Sequence, residues 1–309
     1  MILVGGENLI DFIQENGGDG YPLYRAIPGG SPYNIAKALS RQGAKTGYLT
    51  PISDDTLGAL LAEGITDDNL TLLSPRSTLP TSLAVVSLVN GQAAYQFYRH
   101  GTAERDLTLA SLHAAIPAET TGFNIGSLAI TDGTDADAWT EAWIGAHNDG
   151  IFTSIDPNIR APFIKDRDGY LARLTRMLKH ADMIKLSDED IAWITPDQPI
   201  EDAAKAMFDQ SSAALLVLTL GAEGAIGFTK DGTVRIAPVA VPDLKDTVGA
   251  GDTFMGTLLA QVSARGLMTK GALAKAPPND IRAILETAAK AAAINCGRVG
   301  CNPPYLNEL

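Results

Sequence analysis

The chain reads as an α/β protein with a largely parallel central sheet, covered on both faces, and a smaller sheet beside it. Short apolar runs alternate with helical patterns along most of the sequence, which implies crossover units. Two β-prone segments interrupt that alternation. At 309 residues, 45% hydrophobic and 19% charged, the chain is long enough to bury a large core.

Residues 2–4, Ile-Leu-Val, form a buried-strand pattern. Residues 11–27 are short, extended and broken by Gly17-Gly18. A helix over 35–42 leads into a strand at 46–49, and a helix over 56–63 follows. Residues 81–98 are two β-prone runs around Asn90-Gly91, the strongest short hairpin signal. The alternation then resumes with strands at 122–125, 151–155, 183–184 and 214–220. Helices over 136–147, 167–180 and 200–209 separate them, and helices over 253–265 and 281–296 close the chain. The two interrupting segments are expected to form the small sheet, either as a lid over a substrate or as a flap joining two copies. No solenoid-length repeat and no low-complexity tract is present.

A net charge of −12 disfavours nucleic acid and anionic membrane surfaces as partners. No apolar run reaches the roughly 20 residues of a membrane span, and the start lacks the basic region of a signal peptide, so a cytoplasmic protein is expected. Cys296 and Cys301 have no neighbouring histidine in the sequence, so packed, reduced thiols are expected rather than a structural zinc.

The sharpest chemistry lies at Asp246-Thr247-Val248-Gly249-Ala250-Gly251-Asp252-Thr253-Phe254. Small residues at a helix start let bare N–H groups converge where the macrodipole is positive. Asp252 follows in the first turn. An anion hole beside a carboxylate suits phosphoryl transfer to an alcohol, and a plain capped helix fits the same residues.

Other motifs are weaker alone. Asn34, after Pro28-Gly29-Gly30-Ser31-Pro32-Tyr33, is either a sugar-binding amide or a solvent-facing residue. Asp11 is a hydroxyl acceptor or a turn residue. Asp156-Pro157-Asn158-Ile159-Arg160 follows a strand, at the sheet edge where ligands bind, and Arg160 there holds a phosphate or carboxylate or pairs with Asp156. Lys185-Leu186-Ser187-Asp188-Glu189-Asp190 offers carboxylates for hydrated magnesium or an acidic helix start. Thr219-Leu220-Gly221-Ala222-Glu223-Gly224 fits a nucleotide over bare backbone or a hairpin turn. No Walker A loop, dinucleotide fingerprint, nucleophile elbow or zincin motif is present.

In order, these motifs closely resemble the ribokinase-like (PfkB) carbohydrate kinases, from the first strand to Cys301-Asn302-Pro303-Pro304. Within that family, Gly-Glu-Asn-Leu-Ile-Asp-Phe at 6–12, Tyr98-Arg99, and 156–160 look most like fructokinases. The resemblance implies a three-layer α/β/α sandwich in a single domain over 1–309, with a lid from about 11–27 and 81–100. It implies ATP-dependent phosphorylation of D-fructose to fructose 6-phosphate. Asp252 is then the base, and the amides of Gly249, Ala250 and Gly251 form the anion hole. Asp11, Gly30 and Asn34 bind sugar, with Phe97 and Arg99 supplied by the lid and Arg160 nearby. Thr219, Gly221, Gly224 and Asn295 line the nucleotide site, joined by Lys185 and Ser187. Asp246 and the Val248 carbonyl match a potassium site of many members. The family's Asn-x-x-Glu appears here as Ser187-Asp188-Glu189-Asp190, which shortens the magnesium-organising acid to Asp190. The expected ligands are sugar, ATP and Mg2+, with K+ as an option, and a homodimer through the lid is open. The alternatives are a 2-keto-3-deoxygluconate kinase, a ribokinase or nucleoside kinase, a non-catalytic sugar sensor on the same fold, and a dinucleotide-dependent oxidoreductase.

Overall fold

The structure, a computed structural model, describes residues 1–15, 21–89, 92–269 and 271–309. The Gly17-Gly18 break and the Asn90-Gly91 turn expected from the sequence lie outside the described residues.

The chain begins with β1 (Ile2–Gly5), then β2 (Leu9–Glu15), β3 (Leu23–Gly29) and α1 (Ser31–Arg41). Next come β4 (Thr46–Tyr48), α2 (Thr56–Asp67), β5 (Thr71–Leu72), β6 (Leu83–Val89) and β7 (Gln92–Tyr98). The middle comprises α3 (Leu109–Ala115), β8 (Gly122–Gly126), α4 (Gly133–Asn148), β9 (Phe152–Asp156), α5 (Arg167–Leu178) and β10 (Met183–Ser187). It continues through α6 (Asp188–Ile194), α7 (Ile200–Gln210), β11 (Leu215–Thr219), β12 (Ala225–Thr229) and β13 (Gly232–Ile236). Helices α8 (Ala250–Ala264) and α9 (Pro278–Cys296) complete it.

The large sheet runs β13-β12-β11-β10-β9-β8-β1-β4-β5. It is parallel from β5 to β11, and β12 and β13 add an antiparallel edge. Because successive strand residues point to opposite faces, the apolar runs feed two cores at once. Ile2 and Val4 pack with α1, α2, α8 and α9 on one side, whereas Leu3 packs with α4 and α5 on the other. Leu215 and Val217 share the first core, and Leu216 and Leu218 share the second. This is the three-layer arrangement that alternating strands and helices imply. Among the described residues no helix is long and apolar enough to cross a membrane.

The small sheet runs β3-β2-β6-β7, with β2 and β6 parallel and the outer pairs antiparallel. It is built from the two segments that break the α/β rhythm. Phe12 and Tyr24 meet edge to face across it, with ring centroids 6.4 Å apart.

Several elements depart from sequence expectation: α8 begins at Ala250 rather than residue 253, α9 begins at Pro278 rather than residue 281, and β5, α3, α6, β12 and β13 have no counterpart in the sequence reading. Helix α1 begins at Ser31 rather than Ile35, because Pro32 is tolerated in a first turn, where its missing N–H costs nothing. The turn at Gly221–Glu223 joins β11 to an antiparallel β12–β13 hairpin, so the hairpin reading of that loop holds while the loop also lies at the sheet's ligand-binding edge.

Candidate active site

Helix α8, like α1 and α9 packed against it, starts without a capping side chain, unlike α2 and α6. Asp55 caps α2 through the Gly58 N–H at 2.7 Å, and Ser187 and Asp190 cap α6 reciprocally. The start of α8 carries no capping side chain. Its N-cap is Gly249 at φ 73, in the left-handed region, and a Cβ there would collide with Cys301 Sγ, so only glycine fits. The Ala250 N–H donates to the Thr247 carbonyl at 3.2 Å. Among the described residues the amides of Gly249, Gly251 and Asp252 have no oxygen partner, which leaves three donors at the positive helix end.

Asp252 is buried at 7% exposure, one residue further on. Its partners are neutral: Ser31 Oγ donates to Oδ1 at 2.6 Å, and Asn34 Nδ2 donates to Oδ2 at 2.8 Å. Asn158 Nδ2 lies 3.4 Å from Oδ1 and 2.7 Å from Ser31 Oγ. Burial pushes the Asp252 carboxyl above its ordinary value, opposed by the Ser31 and Asn34 hydrogen bonds and by the charges of Arg160 and Lys185. Asn34 is thus a buried partner of the acid, not a solvent-facing residue.

Lys185 is 3% exposed, with Nζ 2.8 Å from Asp156 Oδ2. A Cβ at Gly251 would stand 3.6 Å from that nitrogen, so the ammonium sits directly beneath the α8 start. Burial works against its charge, but Asp156, Asp190 and Asp252 surround it and raise its pKa. Asp156, although paired, is pushed up to about 6, because full burial outweighs the attraction of Lys185. Asp156 Oδ1 is buried with no protein partner among the described residues.

Asp190 is committed to the fold. Its Oδ1 accepts the Ile159 N–H at 2.7 Å, and its Oδ2 accepts the Ser187 N–H and hydroxyl at 2.9 and 2.8 Å. Among the described residues no cluster of three or more His, Cys, Asp or Glu is placed to hold a metal ion alone.

On the small-sheet side, Asp11 is raised to about 6, first by burial and then by Asp252, with Arg160 pulling it down. Gly30 has φ 107, and a Cβ there would stand 2.6 Å from the Glu7 carbonyl oxygen, so β3 can enter α1 only through glycine. Phe97 on β7 packs against Phe163, with centroids 4.5 Å apart, closing the small sheet onto the loop after Arg160. Arg160 is exposed and donates to Asn158 Oδ1 at 2.6 Å. The Arg99 guanidinium is held by Glu104 at 2.8 and 3.1 Å, anchoring the end of β7.

On the opposite side of α8, a groove of about 740 Å³ opens onto Ala250 and Gly251. Ser187, Thr219, Gly221 and Gly224 line it, with Ala289, Ala292 and Cys296 of α9 as an apolar wall. Asn295 lies behind that wall, fully buried: its Nδ2 donates to the Val248 carbonyl at 2.8 Å and its Oδ1 accepts the Asn302 N–H at 2.8 Å. The Asp246 carboxylate accepts the Val248 and Gly300 N–H groups at 3.0 and 2.9 Å, fastening the loop before α8 to the C-terminal segment.

The structure therefore brings Asp252, Gly249, Gly251, Asn34, Lys185 and the groove residues together. It also adds residues that sequence reasoning missed. Ser31 and Asn158 touch the Asp252 carboxylate directly or through each other. The Glu7 carboxylate accepts the Ser31 and Leu128 N–H groups at 3.2 and 3.1 Å and is raised by burial to about 7. The only signal for the first two was their place inside motifs already singled out.

A carboxylate at an uncapped helix start, above a buried ammonium and at the head of a groove, is the apparatus of a phosphotransferase acting on an alcohol. Residues 6–308 match the pfkB family carbohydrate kinase model, and the chain belongs to that family. It is 37% identical over 286 residues to a fructokinase of Rhizobium leguminosarum bv. trifolii, covering 91% of this chain and 86% of the relative. A crystal structure of fructokinase from Xylella fastidiosa with bound ATP superposes with a TM-score of 0.88, at 26% identity over 99% of this chain and 96% of that one. A double-mutant fructokinase from Vibrio cholerae O395, bound to fructose, ADP and potassium, shares the fold at a TM-score of 0.82 and 24% identity, over 97% and 93% of the two chains.

Proposed function

We propose that the chain transfers the γ-phosphoryl group of ATP to the primary hydroxyl of D-fructose, yielding ADP and fructose 6-phosphate. The observation that carries this reading is the placement of Asp252: a buried acid with only neutral partners, between the small sheet and the unpaired α8 amides. The fructokinase relatives support fructose as the acceptor.

Asp252 accepts the hydroxyl proton as the sugar oxygen bonds to the γ-phosphorus and the bond from that phosphorus to the departing ADP oxygen breaks. The Gly249 and Gly251 amides and the Lys185 ammonium stabilise the phosphoryl oxygens, with Ala250 shaping the turn. Ser187, Thr219, Gly221 and Gly224 form the nucleotide groove, and Asn295 holds its Val248 edge. Asp11, Gly30, Asn34, Phe97, Arg99 and Arg160 bound the sugar side. The segments 11–27 and 81–100 act as a lid on a single domain spanning 1–309, excluding water when closed.

The residues fit a hydrated magnesium ion carried by the nucleotide phosphates rather than a protein-built cage. Asp190 has its oxygens engaged, and the spare acceptor of Asp156 suits a water of hydration. When bound, the ion neutralises phosphate charge. Asp246 and the Val248 carbonyl are the proposed monovalent site. The exposed Ile13, Leu23, Tyr24 and Tyr98 of the small sheet support its second role, as a docking face for another copy. The cytosol is the proposed compartment.

One observation favours a second acceptor: Arg160 presents an exposed guanidinium at the sugar side, which suits the carboxylate of 2-keto-3-deoxygluconate. An ADP-release assay with fructose, that acid, ribose and nucleosides, run with potassium or sodium salts, separates the readings. We expect kcat/KM for fructose to exceed the others by roughly tenfold or more, with potassium the better salt. Preference for the acid overturns fructose, and thermal stabilisation by sugar without ADP release overturns the kinase.

A further inference from the structure

We propose that Ser31 and Asn158 form a directed hydrogen-bond relay, oriented from the solvent end by Arg160, that keeps the Asp252 carboxylate ionised and aimed. The inference rests on the reading of Asp252 as proton acceptor.

Direction follows from what each group is able to do. A guanidinium only donates, so the Asn158 atom 2.6 Å from Arg160 Nη1 is the amide oxygen. The amide nitrogen must then face inward, where it donates to Ser31 Oγ at 2.7 Å. The Ser31 hydroxyl, having accepted there, has one proton left, and Asp252 Oδ1 at 2.6 Å receives it. Asn34 supplies the matching donor to Oδ2. With the amide reversed, Arg160 would face an NH2 group and Ser31 would lose its donor.

The turn that carries Asn158 is held firmly. Asn158 has φ 40, a left-handed conformation that asparagine adopts more readily than most residues. The backbone on both sides is tied down: the Pro157 carbonyl accepts the Ser127 N–H at 3.1 Å, and the Ile159 N–H donates to Asp190 at 2.7 Å. The Ser31 backbone N–H is fixed in turn by Glu7.

The titratable groups facing Asp252 are Asp11 from β2, Asp156 from β9, Lys185 from β10, Arg160 after β9, and the Cys301 thiol. Among the described residues none forms an ion pair with Asp252, so the Ser31 and Asn34 hydrogen bonds lead the effects that oppose burial, ahead of the more distant Arg160 and Lys185 charges. Removing a donor that serves only the ionised form shifts the equilibrium toward the acid.

The test combines carbon-13 NMR titration of aspartate-labelled protein, with Asp252→Asn assigning the resonance, and pH profiles of kcat/KM for fructose with ATP. Ser31→Ala is expected to raise the Asp252 titration by about one pH unit and to move the acid limb in step, with activity recovering at alkaline pH. Asn158→Asp keeps the residue's shape, tolerates the left-handed backbone and cannot donate to Ser31, so it gives a second reading with a larger upward shift. Asn158→Ala is expected to shift the titration less on a Ser31→Ala background than in the unsubstituted protein, because its shorter contact runs through Ser31 and only the 3.4 Å approach to Asp252 Oδ1 remains. An unchanged titration in Ser31→Ala, or a loss of activity equal at every pH, overturns the relay. If the titration moves while even the unsubstituted protein fails to phosphorylate fructose, the relay stands and the assigned reaction falls.

Discussion

Asp252→Ala is expected to lower kcat for fructose phosphorylation by about 10²–10⁴-fold while KM for fructose changes only a few-fold. The asymmetry follows from when the acid acts. Its partners Ser31 and Asn34 hold it in place before any sugar arrives, and its task, accepting a proton, is concentrated in the transition state. The sugar's other hydroxyls would still meet Asp11 and the rest of the small-sheet side. Steady-state ADP release at varied fructose and saturating ATP checks this. Near-normal turnover would show that another group takes the proton.

Lys185→Met is expected to damage both stability and nucleotide use. The substitution leaves Asp156 buried and unpaired, a change that costs about 3–5 kcal/mol. It also removes the ammonium beneath the α8 start, so KM for ATP should rise. The loss should depend on pH. Asp156 already has a folded value near 6, above its ordinary 3.8, with Lys185 in place. A group with a raised folded value favours folding below its unfolded value and loses that contribution as pH rises through the folded one. Without Lys185 the value climbs further, so the variant approaches the parent near pH 5, where Asp156 holds a proton, and falls furthest behind near pH 8. Thermal unfolding across that range checks the trend, and a loss that is larger in acid would contradict it.

Much of this was legible in the sequence because the chemistry is local there. Gly249-Ala250-Gly251-Asp252 carries both the turn geometry and the acid in four consecutive residues, so the helix start was readable without the fold. The apolar run of β11 likewise announces itself, whereas β10 was legible only over 183–184, because Lys185 and Ser187 interrupt its apolar pattern. Helices α3 and α6 were harder, since seven residues make about two turns and give no sustained period. The relay was out of reach for a different reason. Ser31 and Asp252 lie 221 positions apart, and nothing at Ser31 distinguishes a helix-starting hydroxyl from one aimed at an acid. For the same cause the sequence leaves Asn34 open between a sugar-binding amide and a solvent-facing residue: only the packing of α1 against α8 turns its amide inward. At Asp190 the sequence fits hydrated magnesium or an acidic helix start equally, and in the structure its oxygens serve a helix cap and a neighbouring loop.

The most direct measurement is a crystal structure with fructose and a non-hydrolysable ATP analogue bound together. The account predicts the primary hydroxyl oxygen about 2.6–3.2 Å from the Asp252 carboxylate, with the γ-phosphate against the Gly249 and Gly251 amides. A γ-phosphate bound away from the start of α8, or a sugar hydroxyl out of reach of Asp252, would contradict it.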